Sequence, residues 1–65
     1  MIFHVHYDQD DQLINLPEDI QLRVNKLVDL KNKGYTHIDD KWMTMYTGSA
    51  LITIDSYITE TESYL

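Results

Sequence analysis

One segment near the middle of the chain carries both start and stop signals for a helix. Pro17 is favoured in a first helical turn, and the acids Glu18 and Asp19 follow it, where they face the positive end of a helix dipole. Lysines then precede Gly34, and glycine readily takes the left-handed conformation beyond a helix end. These signals predict a helix at about 17–33. Residues at helical spacing form its apolar face: Ile20, Val24, Leu27 and Val28.

The segment before this helix has the two-residue period of a β-strand. Phe3, Val5 and Tyr7 alternate with polar residues, which predicts a strand with an apolar inner face. A run of Asp and Gln then supplies turn chemistry, and the residues at 13–16 can return as a second strand. We therefore expect a first hairpin at about 2–16.

The segment after the helix, residues 35–56, is also rich in strand-forming residues. Trp42–Tyr46 would be a strand with apolar residues on both faces, Ala50–Asp55 alternates with the strand period, and Gly48 lies between them. This pattern predicts a second hairpin. The tail at 57–65 fits either a short amphipathic helix or an extended segment, because its apolar residues suit the first and its Thr and Tyr content suits the second.

Together these elements predict a single α+β domain spanning residues 1–65. Its small antiparallel sheet follows the order ββαββ, and one helix packs on one face of the sheet. A chain of 65 residues buries only about 60% of its unfolded surface, and with no cysteine it has no disulfide to add stability. The uncovered sheet face is therefore a natural surface for a dimer or another partner.

His4 and His6 lie on that uncovered face, about 6–7 Å apart, and the acid Asp8 follows on the same side. The run His-Val-His-Tyr-Asp resembles the His-x-His strand that opens the metal site of amidohydrolase-type enzymes. Those enzymes take further ligands from later strands of a large barrel, for which this chain is too short. The two histidines are kept as candidate metal ligands, beside the simpler interpretation of an exposed polar strand.

Other enzymatic signatures are missing from the sequence. It has no cysteine nucleophile, no serine in a G-x-S-x-G context, and no glycine-rich phosphate loop. The paired acids fall at predicted turns or at the helix start, where local structure favours them. We therefore expect a protein that is not an enzyme and needs no cofactor.

Charge indicates the kind of partner. The net charge is −6, and all five basic residues lie between residues 20 and 41. Direct nucleic-acid binding is not expected, because phosphates require clustered Lys and Arg. A protein with a basic surface is the better electrostatic match. The candidate partner-binding residues are seven of the eleven acids and, from the second hairpin, two aromatic residues. They are Asp8, Asp10, Asp11, Glu18, Asp19, Asp39, Asp40, Trp42 and Tyr46.

In size, acidity, lack of cysteine and Asn/Asp/Ile/Tyr-rich composition, the whole chain resembles small proteins that bacteriophages and mobile elements make against host enzymes. Anti-CRISPR proteins and DNA-mimicking inhibitors belong to this class. The resemblance implies a non-catalytic protein of the host cytoplasm. Such a protein binds a host protein and inhibits it by occupying the surface with which the host protein binds nucleic acid. The alternatives are a structural or regulatory homodimer that uses the open sheet face and, lastly, a small His/Asp metal-binding protein. No signal peptide or membrane span is visible.

Overall fold

The computed structural model of the chain describes residues 1–10 and 15–65. Within them the elements follow one another as β1 (Ile2–His4), α1 (Ile20–Asn32), β2 (His37–Asp39), a 3₁₀ turn (Lys41–Met43), α2 (Thr44–Thr47), β3 (Leu51–Thr53) and α3 (Ile54–Glu62). The predicted mixture of helices and one small sheet is confirmed. The observed order of strands and helices, however, differs from the predicted ββαββ.

The strands described form one sheet in the order β1-β2-β3. Phe3 lies opposite Ile38 in a parallel pair, and Ile38 lies opposite Ile52 in an antiparallel pair. The sheet is therefore mixed, so the prediction of an antiparallel sheet is wrong for the pair β1–β2, and α1 provides the crossover that a parallel pair requires. Among the described residues, the neighbour of β1 is the parallel strand β2, which the predicted order does not contain. Of the predicted return strand, residues 13 and 14 lie outside the described part, and Leu16 is buried but not in a strand.

The predicted helix is present, and its ends are set by side-chain and glycine caps. The Asp19 carboxylate accepts a hydrogen bond from the Leu22 amide at 3.1 Å, so the helix begins after Asp19 rather than at Pro17. At the other end, Gly34 has a φ of 102°. Its amide donates to the Lys31 carbonyl, and the next amide donates to the Leu30 carbonyl, both at 3.1 Å. This is the Schellman arrangement, which satisfies the last carbonyls of a helix.

The buried face of α1 is turned relative to the predicted one. Val24, Leu27 and Leu30 are buried, whereas Val28 is 41% exposed. The reason is a second helix, because α3 packs alongside α1 as well as on the sheet. Leu30 therefore belongs to the core, and Val28 lies on the solvent side.

The predicted second hairpin is wrong in its first strand. The Asp40 carboxylate accepts from the Trp42 amide at 3.0 Å and caps the 3₁₀ turn, which continues into α2. α2 ends at Gly48, whose φ is 78°. Trp42 and Tyr46 are therefore on helical turns, since the cap outweighs the strand-forming tendency of these residues.

The second predicted strand is present but ends at Thr53, where a new helix begins. The Thr53 hydroxyl accepts from the Ser56 amide at 3.2 Å and caps α3. Of the two interpretations of the tail, the helix is correct for residues 57–62.

The core lies between the sheet and the two longer helices. Leu27, Ile38 and Ile54 are its largest fully buried side chains, and Phe3 and Ile52 pack against it from the sheet. The opposite side of the sheet, here named the open sheet face, carries the alternate residues: Ile2, His4, His37, Asp39, Leu51 and Thr53. In the part of the chain that is described, no helix has the length and apolar character to cross a membrane.

Candidate functional site: an aromatic cleft above a buried aspartate

The site lies where the two parallel strands end. The Val5 amide donates to the Asp39 carbonyl at 2.9 Å, so the ladder between the strands extends past β1 and brings Tyr7 beside Asp40. Both residues therefore follow the carboxyl ends of parallel strands. In sheets with crossover helices, ligand sites commonly form at this edge.

Asp40 is the centre of a polar cluster, here named the Asp40 cluster, that also contains Tyr7, Tyr57 and the backbone amide of Trp42. Only 2% of the Asp40 surface is exposed. One carboxylate oxygen accepts from the Tyr7 hydroxyl and from the Trp42 amide, and the other accepts from the Tyr57 hydroxyl at 2.7 Å. A buried carboxylate needs such donors, because burying an unpaired charge is costly.

The two tyrosines of the cluster are held in their neutral form. Burial raises the pKa of both Tyr7 and Tyr57 far above the usual value for a phenol, and the hydrogen bond to Asp40 raises each further. The positive charge of Arg23 acts in the opposite direction but does not reverse the shift. Both phenols therefore serve as fixed hydrogen-bond donors rather than as acids at neutral pH.

An open cleft of about 630 Å³ lies over this cluster and is here named the aromatic cleft. Its lining includes five of the seven aromatic residues of the chain: Tyr7, Trp42, Tyr46, Tyr57 and Tyr64. Of these, Tyr46 is 70% exposed, Tyr64 is 68% exposed and Trp42 is 38% exposed. The volume is within the usual range for ligand pockets, and exposed aromatic side chains are typical of binding surfaces.

The charges along the cleft are mostly negative. Glu18 and Glu60 line its exposed edge, Asp40 lies at its base, and Arg23 is the one basic residue among the described lining residues. The Arg23 side chain is anchored, since its Nε donates to the Pro17 carbonyl at 2.8 Å. The cleft thus combines apolar ring surfaces with an excess of carboxylates.

Lys41 shows how the aromatic rings at this end of the molecule interact with a cation. Its Nζ lies 5.2 Å from the centre of the Tyr7 ring and 5.4 Å from that of the Trp42 ring. The two rings meet edge to face, with their centres 5.9 Å apart. Both distances to Nζ are within the range of cation–π attraction.

The predicted partner-binding residues divide between several parts of the structure. Glu18, Asp40, Trp42 and Tyr46 line the aromatic cleft. The other described acids have local roles or lie elsewhere. Asp8 accepts from the Asp10 amide at 2.9 Å within a turn, Asp19 caps α1, and Asp39 is on the open sheet face. Asp11 lies outside the described residues.

Several cleft residues did not emerge as candidates from the sequence. The sequence places Tyr7 only on the inner face of its strand and gives no binding role to Arg23 or Glu60. Tyr57 and Tyr64 fit either the core or an interface and were not among the predicted contact residues. The three residues at 57, 60 and 64 recur at helical spacing, so a helical reading of the tail would have placed them on one side of a helix. That they converge with Tyr7 depends on the parallel pairing of β1 and β2.

The candidate metal ligands lie away from the cleft. His4 Nδ1 is 2.9 Å from Asp39 Oδ2 across the open sheet face, where the side chains are 61% and 42% exposed. The His6 amide donates to the Asn15 side chain at 3.2 Å. Among residues 1–10 and 15–65, no three His, Asp or Glu side chains come together in a group that could hold a metal ion.

Among the described residues, the Asn15 side chain covers the outer edge of β1 and of the segment that follows it. Asn15 Nδ2 donates to the His4 carbonyl at 2.9 Å, and Asn15 Oδ1 accepts from the His6 amide. A neighbouring parallel strand would use the same carbonyl and amide, on either side of Val5. Asn15 therefore occupies two backbone groups that a further strand would use, and covering such groups protects a sheet against edge-to-edge pairing.

Comparison of the chain with protein-family models, with curated proteins and with solved structures gives no significant match.

Proposed function

We propose that the protein is a non-catalytic binding module that takes up a basic segment of a host protein in its aromatic cleft and inhibits that protein by occupying the segment. The observation that carries this proposal is the cleft itself, in which exposed Trp42, Tyr46 and Tyr64 stand beside two carboxylates. Tyr and Trp contribute much of the binding energy at protein interfaces. The net charge of −6 favours encounter with a basic partner.

The chemistry of the Asp40 cluster supports recognition rather than catalysis. A general acid or base must exchange a proton near the working pH. Burial and the hydrogen bonds to Asp40 shift the pKa of Tyr7 and Tyr57 in the wrong direction for that task. The cluster instead fixes Tyr7 and Tyr57 in the wall of the cleft. If the bound segment normally contacts nucleic acid, its occupation is the route to inhibition.

Trp42 allows a direct test, because it is the single tryptophan of the chain and lines the cleft. Its fluorescence is followed while hexapeptides rich in Arg and Lys, or in Asp and Glu, are added. We expect a saturable change with the basic peptides that weakens with salt, and none with the acidic ones. Absence of any saturable response to the basic peptides would remove the proposal.

A matched pair of variants locates the binding. Tyr46 lines the cleft, whereas its neighbour Met45 does not, and the two side chains are about equally exposed, at 70% and 72%. Tyr46→Ser should weaken basic-peptide binding about fivefold or more, and Met45→Ser should leave it unchanged. Equal losses in both variants would place binding elsewhere than in the cleft.

The open sheet face supports a second candidate function, a homodimer. Ile2 is 43% exposed and Leu51 is 46% exposed on this face, where they lie on the two outer strands with β2 between them. A second copy could cover both apolar side chains through a twofold contact. Sedimentation over a series of concentrations tests this candidate: a dimer that Leu51→Lys dissociates supports it, and a constant monomer mass excludes it.

A further inference from the structure

We infer that the aromatic cleft recognises an arginine side chain of the partner, with the guanidinium lying against an exposed ring and pairing with Glu60 or Glu18. This inference rests on the proposed function and specifies the group that enters the cleft. It depends on which carboxylates are available, on the exposed rings, and on the size of the cleft.

Two carboxylates at the cleft are available to a ligand. Asp40 is not, because its oxygens already accept from two phenols and a backbone amide. Glu18 and Glu60, in contrast, are exposed and take part in none of the ion pairs of the described residues. The Arg23 side chain is held by the Pro17 carbonyl. An incoming cation would therefore meet unpaired negative charge at the edge of the cleft.

The ring surfaces favour a flat cation. Guanidinium stacks on aromatic faces and pairs with a carboxylate through two parallel hydrogen bonds, whereas the ammonium of lysine is a compact and strongly hydrated charge. Tyr46 and Tyr64 present exposed rings on the same cleft as Glu60. Within the molecule, Lys41 Nζ lies at cation–π distance from the Tyr7 and Trp42 rings, which is consistent with rings at this end of the protein accepting a cation.

The dimensions of the cleft indicate a peptide rather than a free small cation. A volume of about 630 Å³ exceeds what one side chain fills. Ile20 and Met43 add apolar surface to the lining, suitable for the residues beside the arginine. We therefore expect an arginine flanked by apolar or small residues in a segment of the partner protein.

The test compares peptides that differ at one group. A short peptide with a central arginine is titrated against Trp42 fluorescence, beside versions with lysine or citrulline at the same position. Citrulline keeps the shape of arginine and removes its charge. We expect the arginine peptide to bind about tenfold more tightly than either counterpart.

Carboxylate variants complete the test. Glu60→Gln and Glu18→Gln should each be examined, and at least one should weaken arginine-peptide binding several-fold while leaving citrulline-peptide binding unchanged. Glu62→Gln is the control, because Glu62 is an exposed residue of α3 that does not line the cleft. Thermal melts are recorded for every variant to check that it is folded.

The outcomes separate the two proposals. If all three peptides bind equally and Tyr46→Ser weakens each, the cleft is a binding site but not an arginine site, and the inference is wrong. If lysine binds as tightly as arginine, the cleft recognises charge alone, which also overturns the inference. If no basic peptide binds, the proposed function itself fails.

Discussion

Two consecutive aspartates, Asp39 and Asp40, belong to different regions of the molecule: the open sheet face and the aromatic cleft. Asp39 lies on the open sheet face, where its side chain is 42% exposed and pairs with His4. Asp40 follows it, is only 2% exposed, and receives hydrogen bonds from Tyr7, Tyr57 and the Trp42 amide. Successive side chains of a strand point to opposite faces, so one step along the chain changes the environment completely.

This difference shows what negative charge can and cannot indicate about a binding surface. Both regions contain acids that the sequence marked as candidates, but the open sheet face is lined mainly by small, aliphatic and imidazole side chains. The cleft adds exposed Trp42, Tyr46 and Tyr64 to its carboxylates. The combination of rings and carboxylates, rather than acidity alone, therefore distinguishes the site we propose.

The largest expected contrast between the two regions is in stability. Asp40→Ala leaves the buried Tyr57 hydroxyl and the Trp42 amide without their acceptor, and each unsatisfied group costs about 1–3 kcal/mol. We expect Asp40→Ala to lower the free energy of unfolding by about 3 kcal/mol or more. Asp39→Ala removes an exposed ion pair and should cost less than about 1 kcal/mol. Chemical denaturation measures both.

Asp40→Asn keeps the comparison informative if Asp40→Ala does not fold. The amide retains one accepting oxygen, so this variant should lie between Asp40→Ala and the wild type. Equal losses for Asp39→Ala and Asp40→Ala would contradict the description of one aspartate as a surface residue and the other as the centre of a buried cluster.

The next largest expected effect is a loss of stability at alkaline pH, which arises from the Asp40 cluster. Burial and the Asp40 hydrogen bond raise the pKa of Tyr57 far above its unfolded value, which is near 10. Its contribution to stability is complete below about pH 10. Above that pH the unfolded chain releases the proton while folded Tyr57 keeps it, so the free energy of unfolding falls by about 1.4 kcal/mol per pH unit.

Variants at two tyrosines isolate this contribution. Tyr57→Phe should be less stable than the wild type at neutral pH but should lose less stability between pH 10 and pH 11, as followed by denaturation at each pH. Tyr46→Phe is the control, because that side chain is 70% exposed and outside the Asp40 cluster. A wild-type slope in Tyr57→Phe would show that Tyr57 is not the group responsible.

Local signals in the sequence predicted the parts of the fold that depend on neighbouring residues. Gly34 marked the end of α1, and the alternation of Phe3 and Val5 marked the inner side of β1. The strand predicted at Trp42–Tyr46 is wrong because its strand-forming apolar residues were given more weight than Asp40, which stands two residues before Trp42 and caps a turn. In this case the informative signal was present but outweighed by residue propensity.

The rest could not be predicted because it depends on pairing between distant segments. Nothing near β1 indicates that it pairs in parallel with β2, and without that pairing Tyr7 and Asp40 do not meet. The burial of Asp40 is equally hidden, since two consecutive aspartates ordinarily indicate a solvated turn. Trp42 and Tyr46 were identified as candidate contact residues, but the cleft they line requires Tyr57 and Tyr64 from α3 and the residues that follow it.

The smallest expected effect concerns the edge beside the open sheet face. Asn15→Ala removes two hydrogen bonds, one to the His4 carbonyl and one to the His6 amide, and we expect a loss of about 1 kcal/mol in the free energy of unfolding. It also frees the edge for another strand, so self-association should increase with concentration in sedimentation experiments. Asn32→Ala, at an exposed site on α1, should do neither. If Asn15→Ala stays as monomeric as the wild type, protection of this edge lies in its short length rather than in the Asn15 amide.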